Sequence, residues 1–379
     1  MANADLRNAQ AGKKDEFYTQ FDDIVQEMFA YVDFNPDVFR NKTILLPCDD
    51  PEWSNFTRFF LAKFNEFGIK KLISTSYAPD SKKIKYPTTP SLFEQNAPQF
   101  DPQLTQIKGK IFSIERESIE NKKINLNDLN WSYLEGDGDF RSDEVTKLRE
   151  EADIIITNPP FSLFREFLNW IGEKQFIILG NLNAITYKEV FPLIMKNKIW
   201  LGPSIHSGDR EFQVPPDYPL EASGWRIDSE GRHFISVKGV RWFTNIDHGL
   251  RHEPMSLMSM SDNLRYSGYK EFEGLNEYEH YDNYNAIEVP YSDAIPSDFN
   301  GIMGVPISWL DQYCPDQFEI IGITERGNEF GLRTKVYTKE DSIKYSDWNC
   351  RATLIQNGKV KPVYARILIR KKNGNNINN

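Results

Sequence analysis

The stretch Thr157-Asn158-Pro159-Pro160-Phe161 limits most strongly what this chain can fold into. Asp153-Ile154-Ile155-Ile156 just before it is a short β-branched run, the pattern of a buried strand. Just after it, Phe161, Leu163, Phe164, Phe167, Leu168 and Trp170 recur at helical spacing. Two adjacent prolines forbid helix at the junction, and the residue before a proline is pushed to an extended conformation. The stretch is therefore predicted at the carboxyl end of a strand, the edge where open α/β sheets bind their ligands. Neither proline has an N–H, so the corner offers carbonyls, one Asn amide and one aromatic face. That set suits a planar group with an exocyclic amine, which donates to Asn158 and to a proline carbonyl while Phe161 stacks on it. A plain turn that ends a strand is the alternative. Adenine, cytosine and a side-chain amide all fit the corner at this point.

The preceding sequence predicts the sheet. Phe21, Ile24, Val25, Met28, Phe29 and Val32 give a helical face, with Phe17-Tyr18-Thr19 at or just before the helix start. Thr43-Ile44-Leu45-Leu46-Pro47 is the first buried strand. It runs through Cys48-Asp49-Asp50-Pro51 into a helix from Ser54 to about Phe67, which stops at Gly68. Lys71-Leu72-Ile73-Ser74-Thr75 is the next strand, so a β-α-β unit opens a doubly wound sheet. The loop after the first strand has no glycine and two carboxylates. It repels phosphate and suits a hydroxyl-rich or cationic ligand such as a ribose, an ammonium or a sulfonium. Capping of the next helix by Asp49 or Asp50 is the structural alternative.

Residues 77–129, with Pro79, Pro87, Pro90, Pro98 and Pro102, are predicted as an insertion with an extra strand within Lys108–Ile119. Lys70, Lys71, Lys82, Lys83 and Lys85 form a local basic patch there, solvated or in contact with phosphates. The loop Glu135-Gly136-Asp137-Gly138-Asp139-Phe140-Arg141-Ser142 is acidic and Gly-rich but lacks the spacing of an EF-hand. It is read as a loop in which one Asp accepts from an amine and Phe140 stacks on a ring, followed by a helix from Asp143 to Glu151. Gln175-Phe176-Ile177-Ile178-Leu179 is another buried strand, with Asn181 and Asn183 at its carboxyl edge. A capping box from Thr186 to Glu189 opens a further helix, and Ile199-Trp200-Leu201 closes the pattern.

The alternation of strand and helix ends near residue 205, and short β-prone runs such as Phe234–Val237 and Val240–Asn245 follow. Two domains are expected, 1–204 and 205–379. The net charge of −10 excludes a uniformly basic coat but not a basic face. Glu271 to Asp298 is almost purely acidic, whereas Arg351 to Lys372 holds Arg351, Lys359, Lys361, Arg366, Arg370, Lys371 and Lys372 and no acid. That asymmetry points to one face for a polyanion, with Arg226, Arg232, Arg241, Trp242 and Arg251 expected along the same groove. His248 and His252 flank Gly249 and precede Pro254, a poor zinc pattern, so no metal is expected. Three cysteines without a CxxC pair speak for a reducing compartment. No apolar run approaches the roughly 20 residues of a membrane span, and the polar start is no signal peptide, so a cytoplasmic location is expected.

Taken in order, Phe17-Tyr18-Thr19, Pro47-Cys48-Asp49-Asp50-Pro51, Gly136 to Ser142, Asn158-Pro159-Pro160-Phe161 and Gly180 to Lys188 make the chain resemble the EcoRI-type adenine-specific DNA methyltransferases. The resemblance implies a Rossmann-like methyltransferase sheet over 1–204 and a C-terminal α+β target-recognition region over 205–379. It implies S-adenosylmethionine as methyl donor and N6 of a flipped adenine in double-stranded DNA as acceptor. By that likeness Phe17, Tyr18 and Thr19 border the methionine moiety, and Pro47, Cys48, Asp49 and Asp50 form the cofactor loop. Asp139 and Phe140 grip the cofactor adenine. Asn158, Pro159, Pro160 and Phe161 are catalytic, and Asn158 also borders the cofactor. The sequence departs from the broader adenine methyltransferase pattern in its glycine-free loop and in having no acid at the end of the second strand. A restriction–modification or phage DNA-modification role follows, as a monomer, with room for a cognate endonuclease. Protein glutamine methylation and an inactive DNA-binding relative of the fold are the competing expectations. Cytosine N4 methylation would call for Ser in place of Asn158.

Overall fold

The computed structural model describes residues 19–52, 54–79, 97–118, 130–214, 224–325 and 330–372. The chain divides into two compact units, Met1–Asn181 with Leu201–His248, and Leu182–Trp200 with Gly249–Asn379.

The strands up to the end of the first unit are β1 (Thr43–Leu46), β2 (Lys71–Thr75), β3 (Lys110–Glu115), β4 (Ser132–Tyr133), β5 (Ile154–Thr157), β6 (Gln175–Asn181), β7 (Trp200–Leu201), β8 (Asp209–Val214), β9 (Arg226–Ile227), β10 (His233–Lys238) and β11 (Val240–Thr244). Eight of them form one sheet in the order β4-β3-β2-β1-β5-β6-β11-β7. Its centre is parallel: β1 pairs with β2 and β5, and β5 with β6. Every residue of β1 and β5 is buried, as expected of apolar runs covered on both faces. The predicted extra strand is β3, antiparallel to β2.

The helix Phe21–Phe34 and the helix Asn55–Lys63 pack in the core beside these strands. Phe56, Phe59, Phe60, Phe64 and Phe67 are all buried, with Met28, Tyr31, Ile44 and Ile154 in the same cluster. Burial of each such side chain stabilises the fold by roughly 1.5–3 kcal/mol. The helix Asn55–Lys63 is capped by Ser54, whose hydroxyl accepts from the Phe56 N–H, rather than by Asp49 or Asp50. The chain then turns at Gly68, whose φ of 67° lies in the left-handed region.

The region after residue 205 begins by returning to the first unit. β8, β10 and β9 make a three-stranded sheet, and β11 pairs antiparallel with β6 in the main sheet. Of the residues expected along a groove, Arg241 and Trp242 are built into the fold, whereas Arg226 and Arg232 are exposed. Trp242 is fully buried, and buried Arg241 donates to the carbonyls of Val240 and His206. Arg226 is held by Glu211, and Arg232 by Asp228.

The second unit contains β12 (Ile287–Glu288), β13 (Met303–Pro306), β14 (Phe318–Ile323), β15 (Thr353–Gln356), β16 (Lys359–Pro362) and β17 (Arg366–Lys371). The sheet order is β12-β13-β17-β14, and β15 and β16 form a hairpin. Asn357 and Gly358 turn it with φ of 51° and 73°, the positive pair a tight hairpin needs. Part of the basic C-terminal run is paired here. Arg366 reaches buried Glu288 at 2.6 Å, Arg370 reaches Glu319 at 3.0 Å, and Lys371 donates to the Ser297 carbonyl. Lys359 and Lys361 are exposed on β16. Arg251 stacks 3.6 Å from the Trp200 ring centroid and donates to Asn197. The helix expected from Thr186 begins later. Thr186 donates to the Asn183 carbonyl inside a 3-10 turn, and the next helix starts only at Phe191.

Cys48, Cys314 and Cys350 are free thiols. Among the described residues no helix is long and apolar enough to cross a membrane. Of the basic patch, Lys71 sits between Glu115 and Glu151 at 2.7 and 2.6 Å, while Lys82, Lys83 and Lys85 lie outside the described residues.

Candidate active site at the carboxyl edge of the sheet

β5 ends at Thr157, and the two prolines hold the chain extended beyond it. Pro160 has φ −57° and ψ 120°, so helical backbone starts only at Phe161. A 3-10 turn, Phe161–Leu163, leads into the helix Phe164–Ile171. Phe164, Phe167, Leu168, Trp170 and Ile171 anchor that helix in the core. Asn158 and Phe161 are half-buried, and Pro159 is buried. The Asn158 side-chain oxygen is shielded from bulk water, while one side of Phe161 packs against the core.

The loop after β1 lies against this corner. Asp49 is buried, and its two carboxylate oxygens accept from the Ser54 and Thr157 hydroxyls, each at 2.6 Å. Its N–H donates to the Thr75 carbonyl at 2.9 Å, and its carbonyl accepts from the Ser74 hydroxyl. One residue thereby ties together the carboxyl ends of β1, β2 and β5. Burial pushes the Asp49 carboxyl up to about 7, aided by the Asp50 charge and opposed by the two hydroxyl donors. Asp50 is half-buried, and Lys110 of β3 stands 3.5 Å from it and 3.3 Å from Glu52. Pro47 is buried and Cys48 half-buried.

The Gly-rich loop meets the end of β2. Asp137 accepts the Ala78 N–H at 2.7 Å through its carbonyl. Gly138 has φ 80°, and a Cβ there would fall 2.0 Å from the Ser76 carbonyl oxygen. Only glycine allows that approach. It delivers Asp139, half-buried, to the same edge. Burial works against the Asp139 charge, but hydrogen bonds from Arg141 outweigh it and hold the carboxyl below its usual range. Phe140 is buried, edge-on to Phe167 at 4.9 Å and Trp170 at 5.5 Å, so most of its ring packs the loop onto the helix.

Thr19 is buried beside the helix Asn55–Lys63, and its carbonyl accepts from the Asn55 amide at 2.8 Å. Its hydroxyl is buried and has no hydrogen-bond partner among the described residues. A buried orphan hydroxyl is costly, and a bound polar ligand would satisfy it. Phe17 and Tyr18 lie outside the described residues. Asn181 is a structural tie, its amide donating to the Lys238 carbonyl at 3.0 Å, and Asn183 is exposed.

Sequence reasoning missed Thr157, Ser74 and Lys110 at this edge. A hydroxyl that ends a strand looks like any β-former, and Lys110 lies 58 residues from Glu52, the acid it reaches in the facing loop. Only the pairing of β2 with β3 joins them. Among the described residues no cluster of His, Cys, Asp and Glu could hold a metal ion.

Residues 5–372 match the family described as "Adenine-specific methyltransferase EcoRI". The chain is 40% identical to the Type II methyltransferase M.EcoRI of Escherichia coli over 318 residues, 83% of this chain and 88% of that protein. It is 30% identical to the Type II methyltransferase M.MpnI of Mycoplasma pneumoniae over 375 residues, 97% and 98% of the two chains. A Type II methyltransferase of Mycoplasma genitalium, M.MgeORF184P, is also 30% identical, over 376 residues. No solved structure gives a significant match.

Proposed function

The chain belongs to the EcoRI family of adenine-specific methyltransferases, and we propose that it methylates N6 of an adenine flipped out of duplex DNA, with S-adenosylmethionine as donor. It is a restriction–modification methyltransferase in this reading, acting as a monomer in the cytoplasm, with an endonuclease of the same target sequence as its companion. The observation that carries the reading is the Asn158–Phe161 corner at the carboxyl end of β5, joined through Thr157 and Asp49 to the acidic loop after β1.

The eight-stranded sheet is then a Rossmann-like methyltransferase sheet. Residues 1–204, completed by β11, carry catalysis, and the α+β region within 205–379 reads and grips DNA. Thr19, Cys48, Asp50 and Asp139 are proposed to border the cofactor, along with Phe17, Tyr18 and the Phe140 edge. Pro47 supports the loop. The orphan Thr19 hydroxyl and the low-pKa Asp139 fit a ligand rich in hydroxyls and amines with a positive charge. When bound, S-adenosylmethionine supplies a methyl group activated on a sulfonium.

The chain's own part is positioning and electrostatics. The N6 lone pair of adenine is delocalised into the ring. Asn158 and the Pro159 carbonyl accept both N6 hydrogens, which localises the lone pair and stabilises the positive charge that develops there. No strong base is needed, because the proton leaves after transfer. Flipping the base costs a few kcal/mol. Stacking on Phe161 returns roughly 1–3 kcal/mol of it.

The test is incubation with labelled S-adenosylmethionine and unmethylated DNA, followed by nucleoside analysis. Label is expected in N6-methyladenine, and N158A should lower the rate by about 100-fold or more. Label in protein alone, or N158A as active as the parent, would overturn the proposal.

A further inference from the structure

Asp49 stands in the loop that the family likeness gives to the cofactor, yet both its carboxylate oxygens are already engaged. One accepts from Ser54, the cap of the helix Asn55–Lys63, and the other from Thr157, the residue before Asn158. The residue is 5% exposed, and its backbone is bonded to Ser74 and Thr75 at the end of β2. A carboxylate so held has little left to offer a ligand. A rigid link to the residue before the amide is what it does offer.

We propose that Asp49 is a positioning residue for methyl transfer: through the Thr157 hydroxyl it fixes the Asn158–Pro159 corner against the loop after β1, and it does not bind the cofactor through its carboxylate. The inference rests on the reading of Asn158 as the group that accepts from N6. Asp49 connects where the acceptor amine is held to where the donor loop lies. An error of about 1 Å between two such parts costs on the order of 100-fold in rate.

Asp50, on the same loop, is the charge that acts on Asp49 among those described; the helix presents the Ser54 hydroxyl and β5 the Thr157 hydroxyl to its carboxylate, and β2 presents the Ser74 hydroxyl and the Thr75 carbonyl to its backbone. The ionised carboxylate accepts from both hydroxyls, whereas the protonated acid must use one oxygen as a donor. Transfer should therefore slow as pH falls through about 7, the value to which burial pushes this group.

The test compares D49N, T157V, T157S and N158A by single-turnover methyl transfer and by equilibrium binding of S-adenosylmethionine and duplex DNA. T157V keeps the side-chain shape and the carboxylate. It is expected to slow transfer by about tenfold or more while both dissociation constants stay within about twofold. T157S restores the hydroxyl and should recover most of the rate. D49N should slow transfer likewise and remove the acid limb near pH 7. If D49N is too unstable to purify, the T157V and T157S pair decides alone. A T157V rate equal to the parent's, or a D49N defect seen wholly as weaker cofactor binding, overturns the proposal. N158A as active as the parent instead marks failure of the corner reading itself, whatever the other variants do.

Discussion

At the scale of single residues, two carboxylates are held by their surroundings near neutrality. Glu27, fully buried, accepts from the Tyr31 hydroxyl at 2.8 Å and the Ser204 N–H at 3.0 Å, and burial pushes it up to about 7. Because the folded value lies above the ordinary 4.5, the native state binds the extra proton between those values. Stability is then lost as pH rises from about 4.5 through about 7. E27Q keeps an acceptor oxygen and removes the ionisation, so the fall in Tm between about pH 5 and pH 8 should shrink. Thermal melts of parent and variant at the two pH values check this; an unchanged difference would rule it out. Phe161 allows a second test at this scale. F161A should lower kcat/KM by roughly tenfold to a hundredfold, while F161W keeps most of it. The Asn-Pro-Pro-Phe corner was legible because prolines restrict the backbone wherever they stand. Asp49 was legible only as an acid in a loop. Its partners Ser54 and Thr157 are 5 and 108 residues away in sequence, and side-chain hydrogen bonds of that kind leave no periodic trace.

At the scale of elements, the strands announced themselves and the helix boundaries did not. β1, β2, β5 and β6 stand where β-branched runs predicted them, since strands buried on both faces need uninterrupted apolar residues. The helix after the corner shows the limit. Phe161 and Leu163 share the apolar spacing of Phe164 and Phe167, but the prolines make a 3-10 turn of the first three positions. The helix expected from Thr186 is displaced in a similar way: the chain is already in a 3-10 turn from Leu182, Thr186 bonds backward to Asn183, and the helix starts at Phe191. The Gly-rich loop supplies the element-scale prediction. G138A forces a Cβ into the Ser76 carbonyl at a left-handed φ, whereas a Cβ at Gly136 would meet only the Glu144 carboxylate at 3.6 Å. G138A should lower Tm and weaken cofactor binding, with strain of roughly 1–3 kcal/mol. G136A should leave both near the parent values. Melting and cofactor titration of the pair separate the two glycines, and equal behaviour would show that the Ser76 carbonyl does not set the loop.

At the scale of the molecule, pairing in space divides a basic run that is uniform along the sequence. Arg366 and Arg370 belong to the run that pointed to a polyanion, yet they meet Glu288 and Glu319 across their own sheet. Lys359 and Lys361 on β16 are exposed and better candidates for phosphate. K359E with K361E should weaken DNA binding and flatten its salt dependence by about one unit of slope for each phosphate no longer neutralised. Cofactor affinity should not move. Filter binding over a salt series checks both, and an unchanged slope would take this hairpin out of the DNA interface. The place where the alternating pattern stops, near residue 205, was legible as a change of texture. That the chain then gives β11 back to the main sheet was not, because an antiparallel strand of Val, Arg, Trp, Phe and Thr fits any sheet. The late arrival of β11 has a consequence for how the protein is made. As the chain leaves the ribosome, β6 is complete at Asn181 but waits with one edge open until Thr244 has emerged. A fragment cut at residue 204 would keep that open edge for good, a template for pairing with other chains. Halves expressed separately should therefore aggregate, and a split enzyme should be divided beyond His248.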